Sequence, residues 1–297
     1  MPRTVTVGVD GSPESLAAMR WAAREAERRD LPLHLVHAWD WQPQAQPVPD
    51  DAAHRHWGGR VLREATEQLH ALHPDLRITS EQVPQPPVTA LLSASANADP
   101  LVIGSRGLSG LAGFLVGSVG LAVAAQTERP VVLVRSGARP EDEHQPDADG
   151  RASAATPYRD VVLGLDREHA DEAVIGFAFD AAARRTARLR VVHGWSLPPY
   201  LAYGLPVDPV LDVSVREETS AIEAVLAPWR AKYPGVEVVE QSAVGDAGGH
   251  LVDAAADASL VVVGRRVRRT PVGTRIGPVA HAVLHHAAAP VAVVPHE

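Results

Sequence analysis

Val5–Asp10 reads VTVGVD and Val161–Asp166 reads VVLGLD, the same pattern of alternating valine or leucine ending on Gly-x-Asp. Working outward from this pair, the correspondence continues in order. Leu33–Trp39 (LHLVHAW) returns as Leu189–Trp195 (LRVVHGW), Leu101–Gly104 (LVIG) as Val261–Gly264 (VVVG), and Pro130–Val134 (PVVLV) as Pro290–Val294 (PVAVV). Chance does not preserve order along a whole chain, so one domain has been duplicated. The 297 residues are enough for two domains that each bury a core.

Within a copy the valine-rich runs VTVGV, LHLV, LVIG and VVLV have no polar face, the pattern of strands buried on both sides of a parallel sheet. Helical stretches separate them. Ser12 is placed to cap the first, SLAAMRWAAREAERR, and DEAVIGFAFDAAARR is its counterpart. Longer helices are expected at Ala52–His73 and Pro209–Tyr233, and shorter ones at Val88–Asn97, Ala247–Ala258, Ser118–Glu128 and Pro278–Ala288. The reading βαβαβαβαβ implies, for each copy, a five-stranded parallel sheet with helices on both faces, in an α/β, Rossmann-like arrangement. A first domain over 1–136, a linker over 137–157 and a second domain over 158–297 follow. The linker sequence, SGARPEDEHQPDADGRASAATP from Ser136 to Pro157, is nearly free of large apolar residues and is expected to be flexible. In such sheets a ligand sits beyond the carboxyl ends of the strands, where strand order reverses.

After the fourth strand of the first copy comes Gly104-Ser105-Arg106-Gly107, nine residues, then Gly117-Ser118. Bare glycines let backbone N–H groups approach phosphate oxygens, and a helix opening at Gly117-Ser118 aims its N–H groups and dipole at an anion. Ser118 adds a hydroxyl and Arg106 a full charge. Asp10, ending the first strand, suits a ribose hydroxyl or an adenine amino group. This G-x-x-G-x9-G-S loop, at this place in a duplicated α/β chain, resembles the ATP-binding loop of the universal stress protein family. The likeness covers the chain apart from the linker and implies the adenine nucleotide alpha hydrolase-like fold. It also implies ATP, alone or with Mg2+, as the ligand of the first domain. The set of contacts so implied is Gly8, Val9, Asp10, Ala38, Ile103, Gly104, Arg106, Gly107, Gly117, Ser118, Val119 and Gly120, with Ala38 meeting the base through its backbone. The sequence departs from the family at Gly120, where a hydroxyl residue is common, and at Gln85, where glycine is usual and where the second copy has Gly245.

The second copy's loop is Gly264-Arg265-Arg266-Val267, nine residues, then Gly277-Pro278. Val267 stiffens the backbone and Pro278 removes a hydroxyl and an N–H donor. Asp166, Gly194, Gly264, Arg266 and Gly277 remain as a reduced set, so ATP is expected in the first domain preferentially. Arg265, Arg266, Arg268, Arg269 and Arg275 either hold an anion by charge or form a solvated loop, with the second favoured.

Other chemistries find little support. A formal charge of −8 and a pI of about 5.9 argue against binding nucleic acid or anionic membrane. With no cysteine there is neither a disulfide nor a thiolate site. Neither a signal segment nor an apolar run near the roughly 20 residues of a membrane span is present, which points to the cytoplasm. Walker A and G-x-S-x-G motifs are missing. His281 and His285 share a helix face, but no carboxylate completes a metal site, and a surface pair is favoured. Trp39 and Trp195 lie past the second strand of each copy, as rims of the pocket or as core. No residue is assigned as catalytic. The expected role is an ATP-binding stress-response and signalling protein whose occupancy modulates assembly or partner choice. Slow ATP hydrolysis or nucleotidyl transfer, and a nucleotide-free scaffold, are the alternatives. The short apolar fifth strands, and the family's use of them, imply a pseudo-dimer of the two copies, with a further homodimer.

Overall fold

The computed structural model of the chain describes residues 3–39, 50–106, 116–195, 207–267 and 276–297. They form two compact units that divide after Pro140, one for each copy. In the first, β1 (Thr4–Gly8), α1 (Pro13–Arg29), β2 (Leu33–Ala38), α2 (Asp50–Leu72), β3 (Ile78–Val83), α3 (Pro87–Ser95), β4 (Ala98–Ser105), α4 (Ser118–Gln126) and β5 (Val131–Arg135) follow one another. The second repeats this as β6 (Asp160–Gly164), α5 (Glu172–Arg185), β7 (Leu189–Trp195), α6 (Val207–Lys232), β8 (Val238–Val244), α7 (Ala247–Ala254), β9 (Ala258–Arg266), α8 (Pro278–His286) and β10 (Val291–His296).

The strands are parallel and lie in the order β3-β2-β1-β4-β5 in the first copy and β8-β7-β6-β9-β10 in the second. The valine-rich runs form the core because both faces are covered. Val5, Val7, Leu33, Leu35, Leu101, Val131 and Val132 are fully buried, as are Val161, Val162, Leu163, Leu189, Val261 and Val262. The chain winds one way from β1 through β2 to β3 and then crosses back to β4. The reversal therefore falls between β1 and β4, and between β6 and β9, and their carboxyl ends define the crevice of each copy.

Local chemistry sets the helix ends. Ser12 accepts from the Ser15 amide at 3.2 Å and starts α1, and Asp171 accepts from the Ala173 amide at 2.8 Å and starts α5. Both helices stop on a left-handed residue, Asp30 (φ 52°) and Thr186 (φ 49°), each donating its amide to the last turn. Other helices end a residue or two away from the sequence expectation. The largest difference is in α7, which gives way to a 3-10 turn at Ala255–Asp257 before β9. Among the described residues no helix is long and apolar enough to cross a membrane.

The segment read as a linker carries its own hydrogen bonds. Pro140–Glu143 makes a 3-10 turn, and His144 bridges antiparallel to Tyr158. Asp147 closes a turn by accepting from the amides of Asp149 and Arg151, at 2.9 and 2.8 Å. The His144 ring stacks on Tyr158 at 3.9 Å, and its Nδ1 donates to the Thr156 carbonyl. Without a core of its own, this polar loop folds through its side-chain-to-backbone hydrogen bonds, a means that apolar content does not reveal.

Charges cluster at the end of the sheet opposite the crevice. Near the end of α1 the buried Glu25 meets Arg29 Nε at 2.7 Å and Arg28 Nε at 3.2 Å. In the second copy the buried Asp160 receives both Arg188 and Arg190, at 3.0 and 2.7 Å. Removing one partner of a buried pair leaves the other charge without compensation. Glu25→Ala is accordingly expected to lower the unfolding free energy by about 3 kcal/mol. Denaturant titration of the variant beside the parent protein checks this.

Candidate functional site

The crevice of the first copy is built where β1, β2 and β4 end. Gly8 closes β1 and Val9 follows it, its amide donating to the Val36 carbonyl at 2.8 Å. The Val9 carbonyl in turn accepts from Nδ1 of the buried His37 at 2.7 Å, which fixes the imidazole across the ends of β1 and β2. Ala38 ends β2, half-buried and level with Val83. Asp10 projects at the mouth of the crevice. Burial, the largest single influence on its carboxyl, pushes the pKa up. Hydrogen bonds from the Ser12 hydroxyl and amide, from Ser15 and from its own amide outweigh that effect. Asp10 stays below its ordinary value and is ionised. Its Oδ1 lies 2.5 Å from the Ser12 hydroxyl and 3.0 Å from the Ser12 amide, so this carboxylate also organises the start of α1.

The two glycines of the loop that are described have different reasons to be glycine. Gly104 lies under α1, where an added Cβ would stand 2.4 Å from the Glu14 carbonyl carbon and 2.7 Å from the Ser15 nitrogen. Its bareness is demanded by helix-to-strand packing, a reason independent of any phosphate approach. At Gly117, by contrast, an added Cβ would meet nothing within 4 Å among the described residues, and its φ of −61° suits any residue. Gly117 caps α4 without a side-chain hydrogen bond, so the first turn, with Ser118 exposed and Val119 half-buried, starts unshielded. Gly120 is buried beneath this turn, and a Cβ there would press on Leu133 at 3.3 Å. The hydroxyl residue common there in the family would thus carry its Cβ into the packing. Ile103 is buried in β4, Arg106 is exposed just past it, and Gly107 lies outside the described residues.

Three residues of this crevice were not singled out from the sequence. Trp57, on α2, is 42% exposed and sets its ring edge-on to His37 at 5.4 Å. Gly11 lies beside it at φ 81°, with a would-be Cβ 3.6 Å from the Trp57 ring. Gly58 lets α2 settle on the imidazole, since a Cβ there would stand 2.5 Å from His37 Cδ2. The available signal was a tryptophan followed by two glycines inside an otherwise helical stretch, Trp57-Gly58-Gly59.

In the second copy, Asp166 accepts from the Glu168 amide at 3.1 Å and pairs with His169 at 2.9 Å. His193 Nδ1 donates to the Leu165 carbonyl at 2.9 Å, as His37 does to Val9. Gly194 and Gly264 both have packing reasons. A Cβ on Gly194 would stand 2.5 Å from Ala247 Cα, and one on Gly264 would meet His296 at 2.8 Å and Val174 at 3.3 Å. Gly277 resembles Gly117, open and without a side-chain cap, but Pro278 follows it. Arg266 is exposed at the end of β9. Of the basic cluster, Arg265 is buried, while Arg268, Arg269 and Arg275 lie outside the described residues. The loops before α3 and α7 also differ. Gly245 adopts φ 129°, whereas Gln85 keeps an ordinary negative φ. His281 and His285 stack at 4.3 Å on α8, and among the described residues no group of three or more potential ligands is placed to hold a metal. Trp39 and Trp195 are each half-buried.

The universal stress protein family model matches residues 1–135 and again 157–295. A universal stress protein of Mycobacterium tuberculosis is 32% identical over 301 residues, covering 97% of this chain and 96% of its own length. One from Mycolicibacterium smegmatis is 30% identical over 306 residues, covering 98% of this chain and 96% of its own. Among solved structures, a universal stress protein from Archaeoglobus fulgidus superimposes with a TM-score of 0.70 at 16% identity, covering 99% of this chain and 98% of that one, a likeness of fold. With both copies matched and relatives aligned end to end, the chain belongs to the universal stress protein family as a tandem, two-domain member.

Proposed function

We propose that the first copy binds an adenine nucleotide, ATP with its Mg2+ in the fullest case, and that occupancy is the signal the protein transmits. The reading rests on one observation above the others. Among the described residues nothing in backbone conformation or packing requires glycine at Gly117, yet it opens an uncapped helix turn at the carboxyl ends of β1 and β4. Unshielded N–H groups at a helix start favour an anion, and an open Cα leaves room for phosphate oxygens against the backbone. Arg106 stands exposed at the end of β4 to add charge. The base then falls on the β1–β2 side of the crevice, against the Trp57 ring and the edge of His37, with the ionised Asp10 toward the ribose hydroxyls or the exocyclic amine. A bound nucleotide stabilises the form that holds it by RT ln(1 + [L]/Kd), about 4 kcal/mol at a thousandfold excess over Kd. That is enough to shift an equilibrium of assembly or of partner choice.

Two glycine substitutions test this reading. Gly117→Leu places a side chain in open space, so the ligand-free melting temperature is expected to stay within about 1 °C while ATP affinity falls by at least tenfold, about 1.4 kcal/mol. Gly104→Ala forces α1 away from β4 and is expected to cost about 2 kcal/mol of stability. Isothermal calorimetry and thermal melting read both, and unchanged ATP affinity in Gly117→Leu would remove the phosphate cradle from consideration.

Trp57→Ala should weaken ATP binding by roughly 1 to 3 kcal/mol, the range measured for stacking a base on an aromatic ring. Stacking would also quench tryptophan emission on ATP addition to the parent protein, and that part of the quench should vanish in the variant. Release of ADP during the titration is followed in parallel and separates binding from turnover.

A further inference from the structure

The duplication supplies an internal comparison at the crevice itself. Asp10 and Asp166 are equivalent, so Gly11 corresponds to Arg167. Helices α2 and α6 align through their exits. The His73 amide donates to the Leu69 carbonyl and the Leu76 amide to the His73 carbonyl, as those of Tyr233 and Val236 donate to Trp229 and Tyr233. On that alignment Trp57 corresponds to Glu217 and Gly58 to Glu218. Where the first copy has two glycines and an aromatic face, the second has an arginine and two carboxylates.

Glu217 is exposed, but Arg167 and Glu218 do not simply point to solvent. Arg167 Nε lies 2.8 Å from Glu218 Oε2, and the same oxygen lies 3.4 Å from His193 Nε2. Glu218 keeps 19% of its side chain exposed and His193 only 9%. His193 holds the place that His37 holds in the first copy, each with Nδ1 on the carbonyl after β6 or β1. The group packed on the imidazole is therefore bare backbone at Gly58 in one copy and a carboxylate locked to an arginine in the other.

We propose that the Arg167–Glu218–His193 cluster bars an adenine base from the second crevice, and that Gly11, Trp57 and Gly58 leave the first crevice open to one. The proposal deepens the nucleotide-binding reading and rests on it for where the base lies. A neutral, flat base entering the second crevice has to separate a partly buried ion pair and leave its members uncompensated, and Glu217 rather than an aromatic ring holds the place of Trp57. The barrier thus lies on the base side of the crevice, apart from Pro278 on the phosphate side.

Adenosine, which makes no demand on the phosphate loop, is the probe. Its stoichiometry is measured on the full chain by calorimetry and equilibrium dialysis, with melting curves to confirm folding. The parent protein is expected to take one adenosine per chain, and the double variant Arg167→Gly with Glu218→Ala is expected to take two. If that variant does not fold, Arg167→Gly with Glu218→Gln, which keeps the volume on α6 and removes the charge lock, carries the same expectation. Pro278→Ser with the cluster intact is expected to remain at one. No gain in the cluster variants over the parent, two sites in the parent, or a second site in Pro278→Ser alone would each overturn the proposal. A parent that takes none beside a cluster variant that takes one would leave the cluster's role standing and refute the reading of the first copy instead.

Discussion

In each copy a central strand must surrender a side chain. Helix α1 passes so near β4 that a methyl group on Gly104 would fall inside the Glu14 peptide, and in the second copy Gly264 is pressed by Val174 of α5 and by His296. Close packing of this kind does not tolerate even one added carbon without movement of backbone. The consequence is positional. The contact holds the start of α1, with Asp10 and Ser12, beside the end of β4, and so brings the loops after β1 and β4 to one edge of the sheet. The crevice exists because these two segments are held together there.

Because that constraint is common to both copies, it cannot distinguish them. The glycine near the end of the fourth strand survives in the second copy although Gly107 and Ser118 give way to Val267 and Pro278, and packing is reason enough. The differences lie in side chains that the framework does not need. Gly117 and Gly277 are equally open, but one is followed by serine and the other by proline. The two imidazoles make the same bond to the backbone, but one meets a tryptophan and a glycine and the other a carboxylate that is paired with an arginine. A duplicated fold of this kind can keep its stability in both halves and let the chemistry of one half drift.

Much of the fold was legible before any coordinates. Parallel strands buried on both faces leave uninterrupted valine runs, and the repeated VTVGVD and VVLGLD strands announced the duplication. The caps at Ser12 and Asp171 were legible for the same local reason, since a short polar side chain next to a helix start has few other uses. Of the candidate site, the motif pointed to the carboxyl ends of the strands but did not separate its glycines by role, because a missing side chain leaves no trace of what excludes it. Gly194 illustrates this: read as a residual contact, it lies against Ala247. Nor did apolar content reveal the hydrogen bonds of the segment after Ser136, which join residues some ten apart, as between His144 and Thr156.

By itself the sequence determined the family, the duplication and the α/β fold, since each is written in residues close together along the chain. Only the tertiary structure decided which glycines pack and which stand open, and that α2 delivers Trp57 to His37 while α6 delivers Glu218 to His193. Those contacts join residues 20 and 25 positions apart through a helix whose rotation on the sheet no local pattern specifies. Whether a crevice is lined by an aromatic face or by a locked ion pair is settled by that rotation.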